Sequence, residues 1–92
     1  INLALEKLTC DRNTFATELQ ARGIGISMHF IPIFHFTYWK QRYPAYTADC
    51  FPNAEAHYQS AITLPLFPSM THDEADAVIS AVTSIGEAYH VR

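Results

Sequence analysis

Histidine and basic side chains gather in one stretch of the chain that contains no acidic residue. Residues 19–48 hold no Asp or Glu but seven of the twelve aromatic residues, in a chain whose formal net charge is -3. The basic and imidazole side chains there are Arg22, His29, His35, Lys40 and Arg42. Cations beside aromatic walls are typical of a small-molecule site with a few placed polar groups. We therefore expect this stretch to meet an anionic ligand.

Two histidines are the leading candidates for ligand contact. His29 lies at the end of an alternating segment and points away from its apolar side, while His35 lies in the loop after Pro32. Binding groups concentrate on loops held by a rigid scaffold, and an imidazole can donate to a phosphate or sugar oxygen. Arg42 can bind phosphate through its planar guanidinium fork. Lys40 is interpreted as a solvated or phosphate-facing lysine rather than a Schiff-base nucleophile.

A zinc site is an alternative interpretation of the same histidines. His29 and His35 could begin one, with Cys50 or His57 among the remaining ligands. Their spacing matches no familiar zinc finger or ribbon, and the chain has no Cys-x-x-Cys pair. The sequence therefore favours no metal.

Five aromatic side chains of this stretch also have two interpretations. They could stack on a nucleobase, but an aromatic run more often packs in a core or an interface. These side chains are Phe30, Phe34, Phe36, Tyr38 and Trp39. Their density in so short a chain favours an interface.

Composition indicates one small folded domain. The chain has 92 residues, of which 49% are hydrophobic and 16% charged, and this argues against disorder. No run approaches the length of a membrane span. Two cysteines are too few for a disulfide framework, so both are expected to be reduced. The negative net charge argues against nonspecific nucleic-acid binding.

Hydrophobic periodicity predicts short strands and several helices. Three segments suit strands: 2–6, 24–30 and 62–64. Of these, 24–30 alternates most clearly, with Ile24, Ile26, Met28 and Phe30 on the side expected to face a core. Helices are predicted from Asp11 to a stop at Gly23, over 37–43, over 53–61, and after a capping box that begins at Thr71. This order predicts an α+β fold, with a small sheet of about three short strands and helices packed on it.

The final helix has the clearest pattern. An apolar stripe at helical spacing follows the capping box: Ala75, Val78, Ile79, Val82, Ile85 and Tyr89. In the first helix, Phe15, Ala16 and Leu19 share one face. These two faces are the predicted core.

Four motifs in a fixed order resemble the C-terminal part of the DegT/DnrJ/StrS family of nucleotide-sugar aminotransferases. A helix ends in Arg22-Gly23-Ile24-Gly25, and a strand ends in His29-Phe30 with Pro32 just beyond. Residues 61–68 read AITLPLFP, and Thr71 opens the last helix. The likeness covers nearly the whole chain.

The resemblance implies a fold, a reaction and a cofactor. It implies the small C-terminal domain of a fold-type I aminotransferase, spanning residues 1–92. It also implies transfer of an amino group, usually from glutamate, to a nucleotide-linked keto-sugar in polysaccharide biosynthesis. The pyridoxal phosphate would be held by a large domain outside this chain, so no catalytic, cofactor-binding or metal-binding residue is assigned here and the chain alone is expected to be inactive.

The resemblance also implies partners and contacts. This segment would complete the substrate pocket and the subunit interface of a cytoplasmic homodimer that binds neither nucleic acid nor membrane. The residues expected to bind the nucleotide-sugar are His29, Phe30, His35 and Arg42. The alternative is a free-standing α+β module that binds a small anion or regulates another protein through the same basic and aromatic segment.

Overall fold

The computed structural model describes residues 1–91, and helices account for most of the regular structure. The four α-helices are α1 (Arg12–Ala21), α2 (Thr37–Arg42), α3 (Pro52–Ser60) and α4 (His72–Ala88). Short 3₁₀ turns cover Leu5–Lys7, Ile33–His35 and Ala48–Cys50. All four predicted helices are confirmed, with ends that differ by a residue or two.

The predicted α+β fold with a three-stranded sheet is wrong. Residues 1–91 contain no β-strand, and their only β pairing is three isolated antiparallel bridges, Asn2–Ala61, Leu8–His90 and Ser27–Thr63. A strand requires consecutive paired residues, whereas each extended segment here meets its neighbour at one point. Ser27, for example, exchanges both of its backbone hydrogen bonds with Thr63, at 3.1 and 2.8 Å, and the pairing does not propagate.

The core lies between α1 and α4. Its buried members are Phe15, Ala16, Leu19, Ile62, Ala81 and Ile85. The predicted face of α1 is confirmed, because Leu19 is fully buried and Phe15 and Ala16 are nearly so. On α4, Val78 and Ile85 are buried as predicted. Ile79 was wrongly assigned to the core: it is 62% exposed, and Ala81 is buried instead.

Local capping fixes the ends of both core helices. The Asp11 carboxylate accepts a hydrogen bond from the Thr14 N–H at 2.8 Å, and the Thr71 hydroxyl accepts one from the Glu74 N–H at 3.1 Å. Each bond satisfies one N–H that the first helical turn leaves free. Gly23 adopts a φ of 79° just after α1, a conformation that only glycine reaches easily. The predicted stop at Gly23 is confirmed.

The alternating segment 24–30 leaves the core halfway along. Ile24 and Ile26 pack against the core cluster as predicted. Met28 and Phe30, predicted to face the core, are exposed, and Phe30 is 97% exposed. The physical reason is that the segment is paired only at Ser27, so the backbone beyond it is not held against the core.

Two further features of residues 1–91 concern the cysteines and the length of the helices. Cys10 and Cys50 are both free thiols. No helix among these residues combines the length and apolar character needed to cross a bilayer.

The core predicts a contrast between two leucines. Leu19→Ala should lower the free energy of unfolding by about 2–5 kcal/mol, because it leaves a cavity between α1 and α4. Leu66→Ala is the matched control, since Leu66 is 90% exposed and its loss should change stability by less than about 0.5 kcal/mol. Urea unfolding of the purified chain measures both. Equal effects of the two substitutions would contradict the assigned core.

Candidate anion-binding site

A 3₁₀ turn after Pro32 sets the position of His35. The His35 N–H donates to the Pro32 carbonyl at 2.9 Å, and the Phe36 N–H donates to the Ile33 carbonyl at 3.0 Å. The turn buries Phe34, whose ring stacks on Phe51 at 5.3 Å between centroids. His35, the next residue along the turn, is left partly exposed beside α3.

Helix α3 supplies the partners of His35. It begins with Pro52 at a first-turn position, where a missing N–H costs nothing. Glu55 and Tyr58 are three residues apart and therefore share one face of the helix. The His35 Nε2 atom lies 2.6 Å from the Glu55 Oε2 atom, and the His35 and Tyr58 rings are 5.8 Å apart. Two residues of one helical face thus hold the imidazole.

The His35–Glu55 contact is partly open to solvent. The side chains are 26% and 22% exposed, respectively. Glu55 uses its other oxygen, Oε1, to accept a hydrogen bond from the Gln59 side chain at 2.9 Å. The bonds from Gln59 and then from His35 lower the pKa of the Glu55 carboxyl below its ordinary value, because both favour the ionised form. A partly exposed pair contributes little to stability, so its geometry matters more than its strength.

His35 and Lys40 open onto the same cavity, which measures about 420 Å³. Its lining residues are Phe34, His35, Lys40, Tyr43, Pro44, Tyr46, Thr47 and Ala48. This set contains a cation, an imidazole and three aromatic rings but no carboxylate. The arrangement fits an anion that also has an apolar or ring-shaped part.

Helix α2 and the turn after it build the far wall of this cavity. The Trp39 ring packs on Tyr43, the residue that directly follows α2, with ring centroids 4.8 Å apart. The indole Nε1–H of Trp39 donates to the Tyr46 carbonyl at 3.2 Å. The Tyr46 N–H in turn donates to the Tyr43 carbonyl at 3.1 Å. These bonds hold the two tyrosines that line the cavity.

A larger cavity lies between the N-terminal segment and α4. Its volume is about 530 Å³, and Leu3, Leu8 and Val82 are among its apolar walls. The charged groups on its lining, Lys7 and Glu87, have opposite signs. We assign the site to the smaller cavity because only its lining combines cationic groups with the absence of acidic ones.

The four predicted contacts occupy different places. His35 lines the cavity, and the Arg42 guanidinium lies 5.9 Å from the ring centroid of Tyr43, which also lines it. His29 lies instead beside His57 of α3, with ring centroids 5.2 Å apart. Phe30 projects into solvent. Of the four, only His35 lies on the cavity lining; Arg42 lies beside one lining residue, Tyr43, and His29 and Phe30 lie outside the lining.

The residues of the zinc alternative do not form a cluster of three, although His29 lies beside His57. Among residues 1–91, no three His, Cys, Asp or Glu side chains come together in a way that could hold a metal ion. Cys50 directs its thiol to the Ala45 carbonyl, 3.4 Å away.

Sequence reasoning missed the residues behind His35. Arg12 is only 8% exposed, and its guanidinium lies 4.7 Å from the centroid of the Tyr58 ring. It also donates to the Tyr58 carbonyl and, at 3.3 Å, to the Asn13 side chain. The spacing of Glu55 and Tyr58 on a helix could have suggested a shared face. Nothing local could have paired that face with His35, twenty residues earlier.

Residues 1–83 match the DegT/DnrJ/EryC1/StrS aminotransferase family. The chain belongs to this family. Its match covers α1, the 3₁₀ turn, α2, α3, most of α4 and every core residue except Ile85, so the resemblance inferred from the four motifs is confirmed.

Two curated relatives of this family member are similar over most of its length. An uncharacterised protein of Methanocaldococcus jannaschii, MJ1066, is 37% identical over 81 residues, which are 88% of this chain and 21% of that protein. The spore coat polysaccharide biosynthesis protein SpsC of Bacillus subtilis is 45% identical over 63 residues, which are 68% of this chain and 16% of that protein. The matches thus span about a fifth or less of each relative.

The two lysines of this aminotransferase-family chain do not fit a Schiff base with pyridoxal phosphate. A lysine becomes such a nucleophile when it is desolvated or placed beside another cation. Lys7 and Lys40 are both exposed, and Lys40 faces the open cavity described above. Residues 1–91 therefore do not form the centre that would hold the cofactor.

The hydrogen bonds to Glu55 predict a measurable change in the pKa of its carboxyl group when either partner is removed. Because the folded state lowers this pKa, the ionised carboxylate stabilises the fold above the ordinary carboxyl pKa, and this stability is lost as the pH falls through the lowered value. Gln59→Leu should raise the pKa of Glu55, and His35→Ala should raise it as well, because each removes a group that favours the ionised carboxylate. Carbon NMR titration of the carboxyl groups measures both effects, with Gln20→Leu on α1 as the control. An unchanged Glu55 pKa in Gln59→Leu would contradict the assigned bond.

Proposed function

We propose that this chain is part of a pyridoxal-phosphate-dependent aminotransferase that acts on a nucleotide-linked keto-sugar, with glutamate as the amino donor. The observation that carries the proposal is the family match across residues 1–83. The similarity to SpsC, whose name assigns it to spore coat polysaccharide biosynthesis, supports a sugar substrate. The cofactor and its lysine would belong to a large domain outside this chain.

In this proposal the cavity beside His35 receives part of the nucleotide-sugar. Lys40 and the imidazole of His35 would face the phosphate oxygens, and the rings of Tyr43 and Tyr46 would flank the base or the sugar. Arg42 stands beside Tyr43, within reach of a phosphate at the cavity edge. These roles orient the substrate and exclude water, and none of them moves a proton at the reacting carbon.

The remaining proposed contacts, His29 and Phe30, would act on another surface. His29 pairs with His57 on α3, and Phe30 is almost fully exposed. An apolar ring in this state is suited to contact with the large domain or a second subunit. We propose that His29 and Phe30 meet the substrate where that partner closes over them.

The shape of the chain supports a role at an interface. Its radius of gyration is 15.9 Å, and its extents are 49 × 37 × 19 Å. A compact domain of this length would have a radius of gyration of about 12 Å. Large apolar side chains such as Tyr38 and Leu66 are 73% and 90% exposed. A thin segment with such a surface is suited to packing on a larger domain within a homodimer.

The substrate role predicts a binding defect in the full-length enzyme. Loss of a hydrogen bond to a charged group costs about 1.5–3 kcal/mol, so His35→Ala and His29→Ala should each raise KM, measured at pH 6, about ten- to a hundredfold. The value of kcat should stay nearly unchanged, because neither side chain acts at the reacting carbon. Steady-state kinetics with a nucleotide-linked keto-sugar and glutamate, beside the absorption spectrum of the bound cofactor, measure this.

A matched control for these variants is His72→Ala, at the start of α4 and outside the cavity lining. It should leave both kinetic constants unchanged. A large fall in kcat at saturating substrate, or wild-type kinetics in both test variants, would overturn the assigned roles. A full-length protein that binds no pyridoxal phosphate would overturn the proposed function itself.

Because the proposal places the cofactor in a large domain outside this chain, residues 1–92 are predicted to be inactive alone. After incubation with pyridoxal phosphate it should show neither Schiff-base absorbance nor transamination, since both of its lysines are exposed. Borohydride reduction followed by mass spectrometry measures any trapped adduct. A stoichiometric adduct on Lys40 that is absent in Lys40→Arg would contradict this prediction, whereas trace labelling of both lysines would agree with it.

A further inference from the structure

Glu55 determines which nitrogen of His35 is left for a ligand. The carboxylate oxygen Oε2 lies 2.6 Å from Nε2, and an ionised carboxylate can only accept a hydrogen bond. Nε2 must therefore carry a proton whether His35 is neutral or charged. Among residues 1–91, Nδ1 of His35 has no hydrogen-bond partner, so it is the nitrogen that remains for a molecule in the cavity.

This assignment restricts what His35 can do. In neutral histidine one ring nitrogen donates and the other accepts, so a neutral His35 with its proton on Nε2 offers only a lone pair at Nδ1. That lone pair repels a phosphate oxygen. When the ring is protonated, Nδ1 becomes an N–H donor and can bind the same oxygen. His35 can therefore donate to an anion only in its charged form.

The net charge of the His35–Glu55 pair also becomes more favourable for an anion when His35 is protonated. With His35 neutral, the His35–Glu55 pair carries one negative charge beside the cavity, which opposes an anion. With His35 protonated, the pair is neutral overall, and Lys40 supplies a net positive charge to the lining. Hydrogen bonding and electrostatics thus both favour anion binding when the imidazole is protonated.

Neighbouring side chains hold Glu55 in place, and the cavity lining itself contains no carboxylate. Gln59 holds the second oxygen of Glu55 at 2.9 Å. The Tyr58 ring packs against His35 and has the Arg12 guanidinium on it, so its position is fixed from behind. The other titratable groups on the lining are Lys40, Tyr43 and Tyr46. Imidazole is the side-chain group whose charge ordinarily changes between pH 5 and 8.

We propose that Glu55 is a positioning residue that makes His35 a pH-dependent contact for the diphosphate of the substrate. The identity of this ligand rests on the proposed function, whereas the tautomer argument rests on the geometry alone. Binding should strengthen as the pH falls from 8 to 6.

Titration calorimetry of the full-length protein with UDP-glucose tests the inference. This probe is a diphosphate diester, and its charge is constant over the pH window. The wild-type protein should bind it about tenfold more tightly at pH 6 than at pH 8, the low end expected for a charged hydrogen bond at a partly exposed group. His35→Ala should reduce this ratio to below about twofold, which separates His35 from the nearby His29–His57 pair.

Glu55→Gln distinguishes a role of Glu55 in placing the His35 proton from a role in packing alone, since it preserves the shape of the side chain and removes its charge. It allows the proton of neutral His35 to move to Nδ1, so the ratio between pH 6 and pH 8 should fall below that of the wild type and keep only the part due to the charge of the imidazolium, while affinity at pH 8 is higher than that of the wild type. A purely structural role for Glu55 would instead weaken binding equally at both pH values. Glu87→Gln, an exposed carboxylate on α4, is the control and should keep the wild-type ratio.

Three results would overturn the inference: a wild-type ratio in Glu55→Gln, a wild-type ratio in His35→Ala, or no binding of UDP-glucose by the wild-type protein at either pH. Circular dichroism of each variant checks that the fold is intact. The cofactor spectrum and transamination rate of the same preparations test the proposed function separately. An active enzyme with pH-independent binding would overturn only the role of Glu55, and an inactive protein that shows the pH-dependent ratio would overturn only the aminotransferase assignment.

Discussion

The packing of α1 against α4 is the interaction on which the rest of this structure depends. Without a sheet among residues 1–91, only a few backbone hydrogen bonds, most of them at the isolated bridges, join distant parts of the chain. The apolar faces of the two helices, closed by Ile62, perform this task through burial. Three isolated bridges then attach the extended segments to this core. A core of this size provides modest stability, as expected for a short chain.

The candidate site lies outside that core and has its own means of support. Residues 31–59 contribute nothing to the core cluster and are held by aromatic contacts, among them Phe34 on Phe51 and Trp39 on Tyr43. The buried guanidinium of Arg12 connects the two regions, because it extends from α1 to Tyr58 on α3. This arrangement leaves the imidazole of His35 fixed in position but open to the cavity, as a binding group requires.

The contact between His35 and Glu55 contributes little energy to the fold, yet its geometry is well defined. Solvent reduces the energy of a partly exposed ion pair, so the pair does little for the fold. Its distance and direction still determine which ring nitrogen carries a proton. A carboxylate that contributes little to stability can therefore determine the chemistry that a neighbouring imidazole offers to a ligand.

The sequence by itself determined the features of this protein that depend on neighbours along the chain. The four helices, the cap at Thr71, the stop at Gly23 and the buried face of α1 all follow from spacing within one or two turns, and each is present. The motif order identified the family, and the absence of acids from residues 19–48 located the candidate site.

Only the tertiary structure decided the features that depend on distant partners. The alternation of residues 24–30 is a local property, but a strand also needs a second segment paired over several residues, and here pairing is limited to Ser27. The exposure of Ile79 depends on what packs above α4. The partnership of His35 with Glu55 depends on how a 3₁₀ turn and α3 meet in space, and no periodicity in the sequence encodes that meeting.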